Sequence, residues 1–257
     1  MTDDPTRYVM VTGASAGIGR AVAVELGRLG WRVALGARSP DRLDAAAGEV
    51  RAAGGRAFAR ALDVTDADSV DAFVAAAEAE LGPIDGLVNN AGAAYAGDIT
   101  DMPVDQIRTT VDTNVLGSLF PARRIGRSLL DRGAAGDIVF ISSDTVHNPR
   151  PGLVTYGATK AAVEHIAIGL AYELEGRGIR VSTVRVGPTA TSFADDWHKT
   201  DDEYNALFRN WQRFGSQRHF QTMEPVDVAR AVVTVLTAPA GVHLPLVEVQ
   251  PEPPVEP

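Results

Sequence analysis

Residues 8–19 read YVMVTGASAGIG, and this stretch decides the fold. A strand-like apolar run, 8–12, leads directly into Gly13, Gly17 and Gly19, and a helical pattern continues from 17 to 29. Glycine lets the backbone turn tightly and approach a ligand, while a helix N-terminus presents unpaired N–H groups and the positive end of its dipole. The segment therefore predicts a binding site for the pyrophosphate of a dinucleotide. The alternative is a plain tight turn.

Short apolar runs continue to alternate with longer helical patterns along the chain. Strands are predicted at 8–12, 31–36, 56–62, 84–89, 137–142, 179–186 and 244–249. Helices are predicted at 17–29, from Ser39-Pro40-Asp41, from Thr65-Asp66 to Gly82-Pro83, and over 104–131, 156–177 and 226–236. Strands that are apolar on both faces and alternate with helices form a covered parallel sheet. We predict one α/β domain over 1–257, a Rossmann-type, doubly wound, seven-stranded parallel sheet with helices on both faces.

Composition excludes several classes of function. The 257 residues are 45% hydrophobic and 22% charged, contain no cysteine and carry a formal charge of −9. Disulfides, thiol catalysis and thiolate metal sites are excluded, and the five histidines lack metal-ligand spacing, so no metal is expected. The acidic balance argues against nucleic acid and anionic membranes as partners. The N-terminal 1–7 is polar and no apolar run is long enough to span a membrane, so a cytoplasmic location is expected.

Two segments depart from the alternating pattern. Between 193 and 220 lie seven of the 16 aromatic residues of the chain, with polar residues between them. One interpretation is a pair of short amphipathic helices packed on the sheet; the other is a substrate lid, about 190–224, at the strand ends where ligands bind. The tail at about 250–257 is rich in proline and is expected to leave the fold as an extended arm.

Further motifs follow the glycine segment in a fixed order. Asn89-Asn90-Ala91-Gly92 follows the fourth strand, Asn114 lies in a helix, Ile141-Ser142-Ser143 ends the fifth strand, and Tyr156-Gly157-Ala158-Thr159-Lys160 opens a helix 13 residues after Ser143. Together with the G-x-x-x-G-x-G spacing, these motifs resemble the short-chain dehydrogenase/reductase family. The resemblance covers about 8–249, although the glycine-rich ending of many members is replaced here by Leu244-Pro245-Leu246.

The resemblance implies catalytic roles for Asn114, Ser143, Tyr156 and Lys160. Tyr156 and Lys160 are four residues apart, so they share one helix face. A nearby ammonium favours the phenolate, and with the positive nicotinamide added, the pKa of Tyr156 is expected to lie below the ordinary value of about 10. Ser143 is expected to hydrogen-bond the substrate oxygen, and Asn114 to help hold a proton-relaying water.

Cofactor preference is predicted at the end of the second strand. NAD enzymes place an acid there for the ribose 2′-hydroxyl, whereas this chain has Ala37, Arg38 and Ser39, which suit a 2′-phosphate. NADP is therefore expected, and NAD is the less favoured alternative. The predicted cofactor contacts are Gly13, Ser15, Gly17, Ile18, Gly19, Arg38, Ser39, Asp63, Val64, Asn90, Ala91, Gly92, Tyr156, Lys160, Gly187 and Thr191.

These observations predict an NADP(H)-dependent oxidoreductase. The reaction is hydride transfer between a ketone or aldehyde and an alcohol, and the aromatic lid predicts a substrate with an apolar portion. The alternative is an NADP(H)-binding redox sensor without turnover; such proteins typically lack the tyrosine or the lysine, and this chain has both. The resemblance further implies a homotetramer or homodimer, assembled through the helices predicted at 104–131 and 156–177.

Overall fold

A computed structural model describes residues 7–197 and 200–254 and confirms the predicted seven-stranded parallel sheet. The spatial order is β3-β2-β1-β4-β5-β6-β7, and every neighbouring pair is parallel. In chain order the strands are β1 (Tyr8–Thr12), β2 (Arg32–Ala37), β3 (Arg56–Ala61), β4 (Gly86–Asn89), β5 (Gly136–Ser143), β6 (Ile179–Val186) and β7 (Leu246–Val249). The strand order reverses between β1 and β4, which is where such sheets bind ligands.

Helices cover both faces of the sheet. They are α1 (Gly17–Arg28), α2 (Pro40–Ala52), α3 (Ala67–Leu81), α4 (Val104–Val111), α5 (Gly117–Arg132), α6 (Val154–Glu173), α7 (Asp201–Arg213) and α8 (Pro225–Leu236). Successive residues of a strand point to opposite faces. In β1, Val9 and Val11 accordingly belong to one hydrophobic core, and Tyr8 and Met10 to the other. Burial on both faces explains why β1 lacks the alternation of a half-exposed strand.

Two predicted helices have different bounds in the structure. The one predicted at 104–131 is divided, because a π-helical segment, Asp112–Leu116, separates α4 from α5. The one predicted at 156–177 begins two residues earlier, at Val154, and ends at Glu173. A π-helical turn widens the backbone locally and is frequent at functional sites. Hydrophobic periodicity did not reveal it, since the apolar pattern continues through the interruption.

The aromatic segment forms two short helices, as the first interpretation predicted, but α7 packs on the loop before α6, where the Trp211 indole N–H donates to the Pro151 carbonyl at 2.8 Å. A 3₁₀ helix, Ser192–Trp197, precedes α7, and the segment is closed at its base, where Thr189 and Met223 form an isolated parallel bridge. The Ala190 N–H also donates to the Met223 carbonyl at 2.8 Å. We call 190–222 the lid segment after the second interpretation, which stays a prediction. His198 and Lys199, within the predicted lid, and 255–257, within the predicted tail, lie outside the described residues.

Among residues 7–197 and 200–254, no helix combines the length and the apolar character that crossing a membrane requires.

Candidate functional site

The glycine segment forms a close-packed turn between β1 and α1. Gly13 and Gly17 have φ of +65° and +53°, a region that side-chain-bearing residues rarely adopt. A Cβ on Gly13 would lie 2.9 Å from the Ala91 Cα, and one on Gly19 would lie 2.4 Å from both the Asn90 Nδ2 and the Gly13 carbonyl oxygen. Both positions therefore require glycine, because a side chain at either one would collide with neighbouring atoms of the turn or of the loop after β4.

Asn90 and Thr12 fasten this turn to the end of β4. The Asn90 side-chain amide donates to the carbonyl oxygens of Thr12 and Gly13, at 3.0 and 3.3 Å. The buried Thr12 hydroxyl accepts from the N–H groups of Asn90 and Ala91, both at 3.0 Å. The side chain of Asn90, predicted as a cofactor contact, is thus hydrogen-bonded to the protein itself. The role of Thr12 as an acceptor for the loop after β4 depends on residues distant in the sequence, so the sequence pattern did not indicate it.

The N-terminus of α1 fits a bound phosphate. Its N-cap residue is Ala16, which has no side chain able to accept from the first-turn N–H groups. The first N–H groups of a helix have no hydrogen-bond acceptor within the helix, and a phosphate oxygen can accept from them. A Cβ on Gly17 would lie 3.3 Å from the Thr191 Cγ2, so Thr191 lies beside the turn, and its contact with a cofactor stays a prediction. Ile18, in contrast, packs its side chain against the core, which leaves its backbone for any cofactor contact.

The end of β2 carries an exposed cation. Arg38 is exposed and follows the last residue of β2, Ala37. The pKa of Asp63 is lowered mainly by its hydrogen bonds from the Thr65 hydroxyl and N–H, and the Arg38 charge acts in the same direction. Ser39 is the N-cap residue of α2, and its side chain makes no capping hydrogen bond within the described helix. Arg38 and Ser39 therefore remain available to a phosphate at this position.

Two other predicted cofactor contacts, Val64 and Gly187, are packed against neighbouring parts of the chain. The Val64 side chain is buried, and a Cβ on Gly117 would lie 2.6 Å from its Cγ2, so Val64 packs against the start of α5. At the end of β6, the Gly187 N–H donates to the Val249 carbonyl at 2.9 Å. A Cβ on Gly187 would lie 2.1 Å from the Gln250 Oε1. These positions are packed by the fold itself.

Asn114 lies within the π-helical segment and is fully buried. Its Oδ1 accepts from the Ala93 N–H at 2.8 Å, and its Nδ2 donates to the Ala93 carbonyl and to the Thr159 Oγ1, both at 2.9 Å. Thr159 in turn donates to the Tyr156 carbonyl at 2.7 Å. The π-helical segment therefore joins the loop after β4 to the first turn of α6. Thr159, an unspecified position of Y-x-x-x-K, was missed by the sequence analysis.

Ser143 and Tyr156 face each other across the end of β5. Ser143 is buried and is the last residue of β5, and its Oγ accepts from the Thr145 N–H and hydroxyl at 3.3 and 3.0 Å. Tyr156 lies in the first turn of α6. Burial raises the pKa of Tyr156 from 10.0 to about 12, although its hydrogen bond with Ser143 acts in the opposite direction.

In the protein alone the pKa of Tyr156 is therefore raised, and the lowered value expected beside a bound nicotinamide stays a prediction. The Lys160 ammonium donates to the Ile141 carbonyl at 2.8 Å and lies 5.8 Å from the centre of the Tyr156 ring. Desolvation of the phenolate outweighs any attraction from this cation. At neutral pH the Tyr156 phenol is consequently protonated, which suits a proton donor.

Lys160 is buried beside Gly92 and Asn114. A Cβ on Gly92 would lie 3.4 Å from the Asn114 Oδ1 and 3.7 Å from the Lys160 Nζ, so the three residues converge. Burial lowers the pKa of Lys160 from 10.5 to about 8. Between these two pH values the unfolded chain binds the proton more tightly than the folded protein does. The contribution of Lys160 to the free energy of unfolding therefore becomes more favourable as the pH rises from about 8 to 10.5.

Replacing this lysine is expected to stabilise the protein. The lowered pKa of Lys160 corresponds to about 3 kcal/mol at pH 7. Lys160→Met removes that cost but leaves the Ile141 carbonyl without its donor, so a net gain of about 1–2 kcal/mol is expected. Urea unfolding at neutral pH and near pH 10 measures it, and the gain should shrink at the higher pH. A variant less stable than the wild type at pH 7 would contradict this explanation.

Two charged residues that the sequence analysis missed border the site. Asp144 follows Ser143 directly and pairs with Arg150 through both carboxylate oxygens, each at 2.7 Å. On the other side, the Phe193 ring of the lid segment lies 5.4 Å from the Tyr156 ring, centre to centre. The site is therefore enclosed by an ion pair and by an aromatic side chain.

Comparison with known proteins agrees with this geometry. The family model described as short chain dehydrogenase matches residues 7–202. A glycine betaine reductase of Emericella nidulans is 38% identical over 98% of this chain, which spans 19% of that protein's length. Among solved structures, a serine dehydrogenase complexed with NADP⁺ has a TM-score of 0.82 and 30% identity, with 94% of each chain covered. A 3-ketoacyl-(acyl-carrier-protein) reductase from Brucella melitensis, complexed with NADH, has a TM-score of 0.81 and 26% identity. The match covers 95% of this chain and 96% of the reductase chain.

Proposed function

Because the chain belongs to the short-chain dehydrogenase family, we propose that it interconverts a ketone or aldehyde and the corresponding alcohol, with NADP(H) as hydride carrier. One observation carries this proposal. The Ser143 hydroxyl and the Tyr156 phenol meet at the end of β5, with the Lys160 ammonium on the same side of α6. This site lies beside the reversal of strand order, next to the glycine turn.

Each candidate catalytic group has a definite task in reduction. The protonated Tyr156 phenol gives its proton to the carbonyl oxygen, and the Ser143 hydroxyl donates a hydrogen bond to the same oxygen as negative charge develops. When bound in this site, a reduced nicotinamide would supply the hydride that the carbonyl carbon accepts. Lys160 holds a positive charge beside the phenol below pH about 8, and so favours the phenolate that remains after proton transfer. Asn114 fixes the first turn of α6 through Thr159.

Residues of the glycine turn fit the phosphates of the cofactor. The uncapped first turn of α1 offers N–H donors. Because Gly13, Gly17 and Gly19 have no Cβ, a phosphate could approach the backbone closely there. Arg38 and Ser39 would hold a 2′-phosphate, since guanidinium binds phosphate oxygens in a bidentate manner. This supports NADP over NAD.

Loss of the Arg38 charge is expected to reduce the preference for NADPH. A hydrogen bond to a charged group contributes about 1.5–3 kcal/mol, so Arg38→Ala should raise KM for NADPH by about 10- to 100-fold and leave KM for NADH unchanged. Steady-state rates with the two cofactors measure this. Arg42→Ala, an exposed arginine on α2, is the matched control and should change neither constant. Equal use of NADH by the wild type would contradict the proposed preference.

The function is tested by turnover with a panel of carbonyl compounds. Because the Phe193 ring lies against the Tyr156 ring, we propose substrates with an apolar portion, such as aryl ketones, β-keto esters or cyclic ketones. The purified protein is incubated with NADPH and each ketone, or with NADP⁺ and each alcohol. Oxidation of NADPH that depends on the ketone supports an enzyme. Tight NADPH binding without turnover across the panel would favour a redox-sensing protein.

We also propose a homodimer or homotetramer in the cytoplasm. Exposed apolar side chains support self-association, because they lie on helices that the family resemblance assigns to subunit contacts. These are Val104 of α4, Leu119 of α5, and Val154, Ile168 and Tyr172 of α6. The absence of cysteine is compatible with a reducing compartment. Sedimentation velocity measures the oligomeric state.

A further inference from the structure

A buried ion pair connects the end of β5 with the loop before α6. Asp144 and Arg150 are about as buried as the core, with 4% and 8% of their surfaces exposed. The two hydrogen bonds between them, each 2.7 Å, are the fork-like arrangement of guanidinium with carboxylate. The Asp144 carbonyl also accepts from the N–H groups of His147 and Asn148, at 3.0 and 2.8 Å. This tight turn returns the chain so that Arg150 reaches the carboxylate.

Stability alone does not explain this pair. Removing two charges from water offsets most of their attraction, and well-packed apolar residues often serve a fold as well. The Arg150 Nε adds to the cost, since it is buried with no hydrogen-bond partner among residues 7–197 and 200–254. A costly pair placed beside a reactive site points to a role in positioning.

One end of the pair acts on the proposed catalytic groups. The Ser143 hydroxyl lies 3.5 Å from the Asp144 Oδ1, and the Asp144 backbone continues directly from Ser143. The Asp144 charge raises the pKa of Tyr156, whereas the Arg150 charge lowers it. Both charges therefore reach the phenol, and with the pair intact their effects oppose one another.

The other end of the pair supports the lid segment. The Arg150 guanidinium lies over the Trp211 ring of α7, 5.5 Å from its centre, and Trp211 is 4% exposed. The Trp211 indole N–H donates to the carbonyl of Pro151 at 2.8 Å. A Cβ on Gly152 would lie 2.7 Å from the Leu207 Cδ2, so α7 is packed closely on this loop.

We propose that Asp144 and Arg150 are positioning residues that hold Ser143 in place and dock α7 on the loop before α6. The alignment of the proton-donating groups and the placement of α7 then both depend on a single ion pair. The kinetic part of this inference rests on the proposed function; the docking of α7 does not.

The test compares Asp144→Asn, Arg150→Met and the double variant. The control is Arg180→Met, which removes another two-bonded Arg–Asp pair, at 2.7 and 3.1 Å, from the opposite end of β5. There Asp137 keeps Arg7 as a partner at 2.8 Å. Thermal unfolding of all four variants reports whether each one folds.

The first measurement is amide hydrogen exchange in α7. We expect exchange to be at least about tenfold faster in Arg150→Met and in the double variant, and unchanged in Arg180→Met. The second is the titration of Tyr156, followed by NMR of ¹³Cζ-labelled tyrosine and assigned with Tyr156→Phe. Asp144→Asn leaves Arg150 charged and should lower the titration midpoint by about 1 pH unit, and the double variant should return it toward the wild type.

The third measurement uses the ketone with the highest wild-type kcat/KM in the panel. Asp144→Asn should lower kcat about tenfold through Ser143, whereas Arg150→Met should also raise KM through the lid segment. The inference is overturned if α7 exchanges no faster in Arg150→Met than in Arg180→Met, or if the Tyr156 midpoint does not move in Asp144→Asn. Should a single variant fail to fold, exchange in the uncharged double variant decides. If no ketone is turned over, the proposed function fails, while exchange and titration still decide the positioning role.

Discussion

Tyr156→Phe is expected to lower kcat for ketone reduction by about 10²–10⁴-fold, because it removes the only oxygen of the side chain proposed to protonate the substrate. The ring remains, so its contact with Phe193 and the fold should be preserved. KM for NADPH should change much less than kcat, since the phosphate-binding turn is untouched and only one of the predicted cofactor contacts loses an oxygen. Rates of NADPH oxidation with a ketone of the panel measure the effect.

The matched control is Tyr172→Phe. Tyr172 lies on the same helix, α6, but is 75% exposed and distant from Ser143 in the sequence. It should retain wild-type kcat. Turnover by Tyr156→Phe at the wild-type rate would refute the proposed mechanism, and an equal loss in both variants would point to damage to the helix instead.

Gly19→Ala should abolish cofactor binding and destabilise the fold, whereas Gly48→Ala should stabilise it. Both glycines are helical, but a Cβ on Gly19 would lie 2.4 Å from the Gly13 carbonyl oxygen, and one on Gly48 meets nothing within 4 Å. The clash involves backbone and cannot be relieved by a rotamer change, so a loss of about 1–3 kcal/mol is expected for Gly19→Ala. For Gly48→Ala, alanine's better helix propensity gives a gain of about 0.5–1 kcal/mol.

Urea unfolding of both variants and NADPH titration by fluorescence measure these effects. The expected sign of the stability change is opposite for the two glycines, although the substitution is the same. Normal stability and normal NADPH affinity in the Gly19→Ala variant would show that the turn relaxes and that its tight packing is not required for binding.

The sequence was sufficient to predict the family and the sheet, and it pointed to Ser143, Tyr156 and Lys160, which the structure brings together. Each depends on local order: apolar runs that end in glycine, and Tyr156 four residues before Lys160. Structural features that depend on distant pairing were missed. The Asn90 amide on the Thr12 carbonyl joins residues 78 apart, and the link between Asn114 and Thr159 spans 45. Hydrophobic periodicity in the sequence does not indicate contacts between residues this far apart.

The electrostatics of the site were also beyond local reasoning. Spacing alone places an ammonium near Tyr156 and predicts a lowered pKa, but the sign depends on how much water the phenol loses. The surrounding chain buries it, and the pKa of Tyr156 is raised to about 12. The ion pair of Asp144 and Arg150 was missed for a related reason, since both residues read as polar loop positions.

The bridge between Thr189 and Met223 fixes the two ends of the intervening segment independently of its length. Both ends of the segment are fixed side by side, with the Met223 N–H also donating to the Pro188 carbonyl at 3.0 Å. The entropy of closing a loop grows only slowly with its length, so insertions and replacements between these anchors are inexpensive for the sheet. We therefore expect insertions within 190–222 to cost the sheet little, whereas a replacement that removes Trp211 would also remove its contacts with Arg150 and with the Pro151 carbonyl.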